Sequence, residues 1–261
     1  MSGPEQPPGS HGHPDQPDLF WHSDVARIVD QAAARLQGTG RSRLHRQDRP
    51  EPRWPVSVSV VVAIVLQMLL PSELGLAPSY LLPALEGALL IGLTIASPVR
   101  IDRMSRPIRI TSVSLVVLIS IANAISAVLL VRAIATNSLN VSPQHAAVEL
   151  LGSGALIWGT NVIAFALWYW ELDRGGPVHR LEGRSPYPDL LFPQMTVPEL
   201  TRQGWGPRFV DYLYLSFTNA TAFSPTDVMP LARWAKMTML AQSAVSLAVG
   251  SLVIARAVNI I

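Results

Sequence analysis

From residue 55 onward the chain is dominated by apolar runs that lack both the strict alternation of a half-buried strand and the polar face of a surface helix. Residues 55–70 read PVSVSVVVAIVLQMLL, and residues 79–97 carry Pro83, Glu86 and Gly92 within an apolar stretch. Residues 110–134 place Asn123 near their middle and Arg132 near their end, and residues 146–170 close on Trp168, Tyr169 and Trp170. A polar, irregular stretch leads to Arg208, followed by a short apolar segment (209–223) and a final long run (231–261). A spanning helix needs about 20 apolar residues. The pattern therefore predicts five transmembrane helices, the first slightly short and anchored by the interfacial Trp54. Residues 209–223 are too short to cross comfortably and read as a re-entrant or sixth helix. The predicted fold class is an all-α integral membrane helical bundle.

Residues 1–54 stand apart as a Pro- and Arg-rich tail; eight of the 22 prolines occur by Pro55, among Gly, Ser, Gln and His. Such a composition cannot bury a core, so a disordered cytoplasmic tail is expected. No apolar segment of signal-peptide type follows Met1. A short helix is predicted over 23–36, with Ser23 as N-cap, Val25, Ile28, Val29, Ala32 and Leu36 on one face, and Gly38 as a stop. It reads equally as a surface or partner-binding helix and as a transiently ordered segment. The remaining organisation is a four-helix transmembrane region (55–170), an interfacial loop (171–208) and a helix-loop-helix module (209–261).

Arginines orient the bundle. Arg41, Arg43, Arg46, Arg49 and Arg53 precede the first helix, and Arg100, Arg103, Arg106 and Arg109 separate the second from the third. The loops at 71–78 and 135–145 contain no Lys or Arg. The positive-inside rule then places the N-terminus in the cytoplasm. The 171–208 loop falls on the same side, with Arg174, Arg180, Arg184, Arg202 and Arg208 beside five acidic residues.

Composition sharpens this picture. The chain is 49% hydrophobic and only 15% charged, against about 25% charged for a soluble domain, which excludes an ordinary soluble enzyme. A formal charge of +2 gives no nucleic-acid footprint. The absence of cysteine removes disulfides, thiolate metal sites and cysteine nucleophiles. No H-E-x-x-H occurs, and Gly152-Ser153-Gly154 is not a nucleophile elbow but a candidate for tight helix packing. His11 and His13 are too few for a specific metal site. No enzymatic activity, cofactor or metal is expected.

Candidate chemistry concentrates at 211–236, DYLYLSFTNATAFSPTDVMPLARWAK. A short amphiphilic segment with Tyr212, Tyr214 and Phe217 runs into a hydroxyl- and amide-rich turn with Ser216, Thr218, Asn219, Thr221, Ser224 and Thr226. Asp211 and Asp227 bracket it, and Pro230 is placed to open the last helix. A short helix and polar loop before a long helix is the arrangement of a pore loop, because irregular backbone at membrane depth needs a cavity or surrounding protein.

Ser216, Ala220, Thr221, Asp227, Pro230 and Trp234 resemble, in spacing, the pore helix, post-filter turn and inner-helix start of two-helix potassium channels. Where that family carries Thr-Val-Gly-Tyr-Gly, this chain reads Ala222-Phe223-Ser224-Pro225-Thr226. Lacking the filter glycines, it is not expected to select potassium by stacked carbonyls. A second resemblance spans WYWELDRGGP (168–177), YPDLLFPQM (187–195) and the 211–236 stretch, which look like a group of bacterial multi-pass membrane proteins without assigned activity. It implies residence in the bacterial inner membrane, with which 19 arginines to one lysine is compatible.

Among the apolar runs, Glu86, Asn123, Glu149, Asn161 and Gln242 are polar exceptions, and ionisable groups at membrane depth mark functional pathways by default. Glu86 is the leading ion or proton site, with Asn123 as its expected hydrogen-bonding partner; a neutral, internally bonded Glu86 is the alternative. Ala244, Ala248, Ser251 and Ala255 share one face of the last helix, expected to serve internal packing. Glu171, Asp173 and Arg174 beside Gly175-Gly176-Pro177 read as a structured interface turn, with a headgroup site as the alternative. The pore-lining or ion-binding candidates are thus Ser216, Thr218, Asn219, Thr221, Ser224, Thr226, Asp211, Asp227, Glu86 and Asn123. Two main functions remain open: a non-potassium-selective, ion-channel-like pore, or a non-conducting scaffold or regulator acting through its tail. A small transporter is third. Expected partners are the lipid bilayer, further copies of the chain and a cytoplasmic protein bound by the tail.

Overall fold

The structure, a computed structural model, describes residues 50–75, 78–96, 100–101, 106–136, 143–185, 187–202, 204–221 and 227–260. The tail helix expected at 23–36 lies outside them, as do Ser224 and Thr226. The described chain is mostly helical. Its main helices are α1 (Trp54–Met68), α2 (Leu81–Ala96), α3 (Arg106–Thr136) and α4 (Pro143–Leu172). Two short helices follow, α5 (Pro177–Glu182) and α6 (Pro193–Thr196), then α7 (Phe209–Thr221) and α8 (Arg233–Ile260).

Three helical stretches, based on α3, α4 and α8, are long and apolar enough to cross a membrane. At 15 and 16 residues, α1 and α2 are not; each rises only about 22–24 Å against a hydrocarbon core of about 30 Å. Prolines set this limit: Pro55 opens α1 and Pro71 follows its end, and Pro83 lies in the first turn of α2. Three helices therefore meet the length criterion, not the five expected from hydropathy.

Two short antiparallel pairings fix the connections. Strand β1 (Glu51–Pro52) pairs with β2 (Arg100–Ile101), which brings the start of α1 to the end of α2. Strand β3 (Leu190–Leu191) pairs with β4 (Met229–Pro230). Pro230 thus lies in a strand rather than in the first turn of α8. The next two backbone N–H groups, of Leu231 and Ala232, donate to Asp189 O, so the helix starts only at Arg233. The tail boundary also shifts, because Glu51 and Arg53 are buried.

Arg109 at the start of α3 donates to Gly175 O just past α4, and Ser112 donates to Glu171. The starts of α1, α3, α7 and α8 and the ends of α2 and α4 consequently share one end of the bundle. Among the described residues that end holds every lysine and arginine except Arg132 and Arg256. It is called the arginine end below. Two apolar cores stack along the helices: one around Ile119, Leu167, Phe209 and Leu215, the other, toward the opposite end, around Leu74, Leu130, Ile157 and Val253.

The apolar window of α4 is 61% buried, that of α3 44% and that of α8 22%. The fourth helix is therefore the centre of the bundle and α8 its outer wall. Ala244, Ala248, Ser251 and Ala255 face outward on α8, not into the bundle as expected. The inward face is taken by Gln242, Ser246, Val249 and Val253.

Candidate functional site

The polar residues of α7 bind it between α4 and α8. Ser216, fully buried, donates to Val162 O at 2.6 Å, the carbonyl of a residue inside α4. Gln242 of α8 donates to Ser216 Oγ at 2.7 Å and to Ser216 O at 2.9 Å. Its Oε1 accepts from Tyr169 OH at 2.7 Å and from Asn219 at 2.9 Å. Both donors and both lone pairs of this buried amide are used, the condition for a polar group to lie inside apolar surroundings without a large penalty. Asn219 also donates to Met239 O, and Ser243 donates to Asn219 O. One turn deeper, Asn161 joins Ser246 at 2.9 Å and accepts from Asn123 at 3.4 Å.

A second, charged cluster holds the start of α7 at the arginine end. Asp173 is fully buried and accepts the Tyr212 hydroxyl at 2.6 Å and the Asp189 N–H at 3.2 Å. Arg174 adopts φ 52, followed by positive φ at Gly175 and Gly176, so the chain turns sharply as α4 ends. The Arg174 N–H donates to Asp189 Oδ2 at 2.7 Å. Arg180, from α5, is also buried; it donates to Trp170 O and Asp173 O and lies 5.1 Å from the Tyr212 ring centroid. Its other terminal nitrogen is 3.9 Å from Glu51. Glu51 in turn accepts the Trp170 indole N–H at 2.8 Å and the Phe209 backbone N–H. Burial pushes the Glu51 carboxyl above its ordinary range, against the pull of Arg180, the Trp170 and Phe209 hydrogen bonds and Arg208. Accepting the Phe209 N–H also satisfies an orphan donor at the positive end of α7.

Together the two clusters define the path of the chain. From Phe209 at the arginine end, α7 runs inward alongside α4. By Met229–Pro230 the chain is back at that end, paired with Leu190–Leu191. From Arg233, α8 then runs inward for the length of α4, reaching Asn161 at Ser246 and Gly154 at Val253. The 13-residue helix α7 therefore lies between two long helices, and the described chain on either side of it, at Arg208 and at Met229–Pro230, stands at one face.

The candidates named from sequence are distributed unevenly over this frame. Ser216 and Asn219 meet at Gln242. Thr218 and Thr221 donate to carbonyls of their own helix, at Tyr214, Leu215 and Thr218. Asp211 accepts the Arg208 N–H and so caps the start of α7. Asp227 is exposed beside β4. Glu86 is fully buried, but its partner is Gln67 of α1, at 3.2 and 3.4 Å, in place of the expected Asn123. Asn123 instead belongs to the α4–α8 seam.

Glu51, Arg180, Asp189, Tyr169 and Gln67 were missed. Tyr169 carried a usable signal, a phenol that needs a partner inside an apolar helix; Glu51, in a polar tail, carried none. No family model, curated protein or solved structure matches this chain.

Proposed function

We propose that this chain is a multi-pass protein of the bacterial cell membrane whose α4–α7–α8 unit is an ion-channel-like, non-potassium-selective pore module. The observation that carries this reading is the path of α7. A helix about 20 Å long enters between two long helices and returns to the same face. That is the geometry of a re-entrant loop, tolerated at membrane depth when protein surrounds it. Gathering the arginines at one end favours a cytoplasmic location for that end and for the N-terminus. In this reading α1 and α2 are the remaining two spans, accommodated by local thinning of the bilayer. Copies of the chain meet through the outward small-residue face of α8, so that conduction belongs to a homo-oligomer. Asp227 sets the charge at the mouth. Purified protein in liposomes is expected to pass cations, with flux reduced by Asp227→Asn. No flux across a range of voltage and pH would remove the reading.

A non-conducting scaffold is the second reading. It is favoured by the Ser216 hydroxyl and the Asn219 amide N–H groups, which are spent inside the subunit on Val162, Gln242 and Met239. On this reading the tail captures a cytoplasmic protein. Deleting residues 1–50 then abolishes capture while the bundle remains folded, and an unchanged set of captured proteins counts against it.

A further inference from the structure

The turn between α1 and α2, at the end of the bundle opposite the arginines, frames a cleft of about 410 Å³, counting the part open to the surroundings. Neither functional reading above uses it. Its polar lining is Gln67, Ser79 and Ser126, set among Leu82, Pro83 and Ala122. Ser79 is exposed, whereas Ser126 is 5% exposed and its hydroxyl has no hydrogen-bond partner among the described residues. Gln67 donates from its side-chain amide to both carboxyl oxygens of Glu86, at 3.2 and 3.4 Å. Glu86 follows Pro83 by about one turn of α2 and is fully buried, so its carboxyl lies behind the wall that Gln67 forms. Among the described residues no cation pairs with it. Between Trp54 and Met68 α1 has no ionisable side chain, and α2 has only Glu86. The third helix contributes Arg106 and Arg109 at the arginine end and the exposed Arg132, ten residues past Ala122. Glu73 and Tyr80, in the turn, are both exposed.

We propose that Glu86 is a proton-exchange site, reached by water through this cleft from the end of the bundle opposite the arginines. A carboxyl among apolar helices is costly, and a neutral amide offsets less of that cost than a cation would. Size and polarity together select the occupant of the cleft. Its enclosed part has room for water and for little else. Ser79, Ser126 and Gln67 supply the polar partners that an ordered water needs. A metal cation fits less well, because Gln67 turns its N–H, the positive end of its amide, toward both carboxyl oxygens. A proton needs only one of those oxygens, and the amide can hold the other. Gln67 is thus the positioning residue of the site, standing between the carboxyl and the water route.

The test is carbodiimide labelling of the full chain in sealed vesicles, with the pH set separately on each side. Dicyclohexylcarbodiimide enters through the lipid, adds to a carboxylic acid but not to its carboxylate, and rearranges to a stable N-acylurea. The adduct is read by mass spectrometry on the peptide that carries Glu86. Labelling should fall as pH rises on the side of the α1–α2 turn and should not respond to pH at the arginine end. Maleimide labelling of Ser72→Cys, in that same turn, identifies which side is which, so an inverted bundle would not be mistaken for a failed proposal. Gln67→Leu should move the midpoint of labelling to higher pH by about one unit, through loss of a hydrogen bond to the charged form. A response to pH at the arginine end, or no adduct on Glu86 of the folded chain at any pH, would overturn the proposal. So would an unmoved midpoint in folded Gln67→Leu, or protection of Glu86 by millimolar sodium at fixed pH, which would make the site one for a metal cation.

Discussion

At the scale of single residues, buried charge decides what can be changed. Arg180 is 1% exposed and is the cation nearest Glu51, while its donors also hold Trp170 O and Asp173 O. Replacing it with Met keeps much of the volume but leaves Glu51 and Asp173 in a low-dielectric site without that cation. Breaking a buried pair in this way costs about 3–5 kcal/mol. Arg180→Met is therefore expected to lower the thermal midpoint in detergent sharply, read by tryptophan fluorescence; a change of a degree or two would show that the cluster is hydrated. Glu51 adds a pH dependence whose sign follows from its raised folded value. Its contribution is fully present below the ordinary value of 4.5 and is lost as pH rises through the folded value. Glu51→Gln removes the titration but keeps only one of the two acceptor oxygens that serve Trp170 and Phe209, so its midpoint is expected to be lower at every pH. The variant should show a flatter midpoint-against-pH curve just above 4.5 than the parent chain does. Identical curves would assign that slope to another group.

At the scale of elements, close packing of α4 on α8 is the point most open to test. A Cβ placed on Gly154 would lie 2.9 Å from both Val253 Cγ atoms, too near for either helix to stay in place. Gly154→Ala is expected to destabilise the bundle by about 1–3 kcal/mol, the usual range for overpacking. Val253→Ala should recover most of that loss in the double variant, because it deletes the atoms in conflict. Additive effects in unfolding experiments would mean that the helices are not in contact there. This contact was partly legible in the sequence, where Gly152-Ser153-Gly154 marks a place of small residues. Only Gly154 needs its glycine for packing, since nothing lies within 4 Å of a Cβ at Gly152. Helix positions were legible for a simple reason: each apolar run is a local property, and α3, α4 and α8 follow their runs to within four residues at either end. Pairings were not, because a bond such as that from Phe209 to Glu51 joins residues 158 apart, and neither carries a local mark of the other. Glu86 shows the same limit, since a lone carboxyl in an apolar run announces a need for a partner but not which helix supplies it.

At the scale of the whole molecule, the central matter is which face each connection occupies. Hydropathy left two outcomes for residues 209–223, a re-entrant turn or a full sixth span, and they differ in where Asp227 emerges. The pairing of Met229–Pro230 with Leu190–Leu191 and the two bonds from Leu231 and Ala232 to Asp189 put the chain after α7 at the arginine end. The bond from Gln242 to Ser216 is consistent with that path, because each residue lies two to three turns in from that end along its own helix. A full span would move Asp227 to the opposite end, alongside Ser72 in the turn between α1 and α2. The absence of cysteine makes the distinction direct, since single cysteines can be introduced without removing native ones. Tyr187→Cys, Asp227→Cys and Ser72→Cys all fall at exposed positions. In sealed right-side-out vesicles, a membrane-impermeant maleimide is expected to label Ser72→Cys from outside. Tyr187→Cys and Asp227→Cys should react only after permeabilisation. Labelling of Asp227→Cys from the same side as Ser72→Cys would establish a sixth span and remove the re-entrant path on which the pore reading rests. Labelling of Tyr187→Cys and Asp227→Cys together from outside, with Ser72→Cys protected, would keep the re-entrant path but invert the bundle.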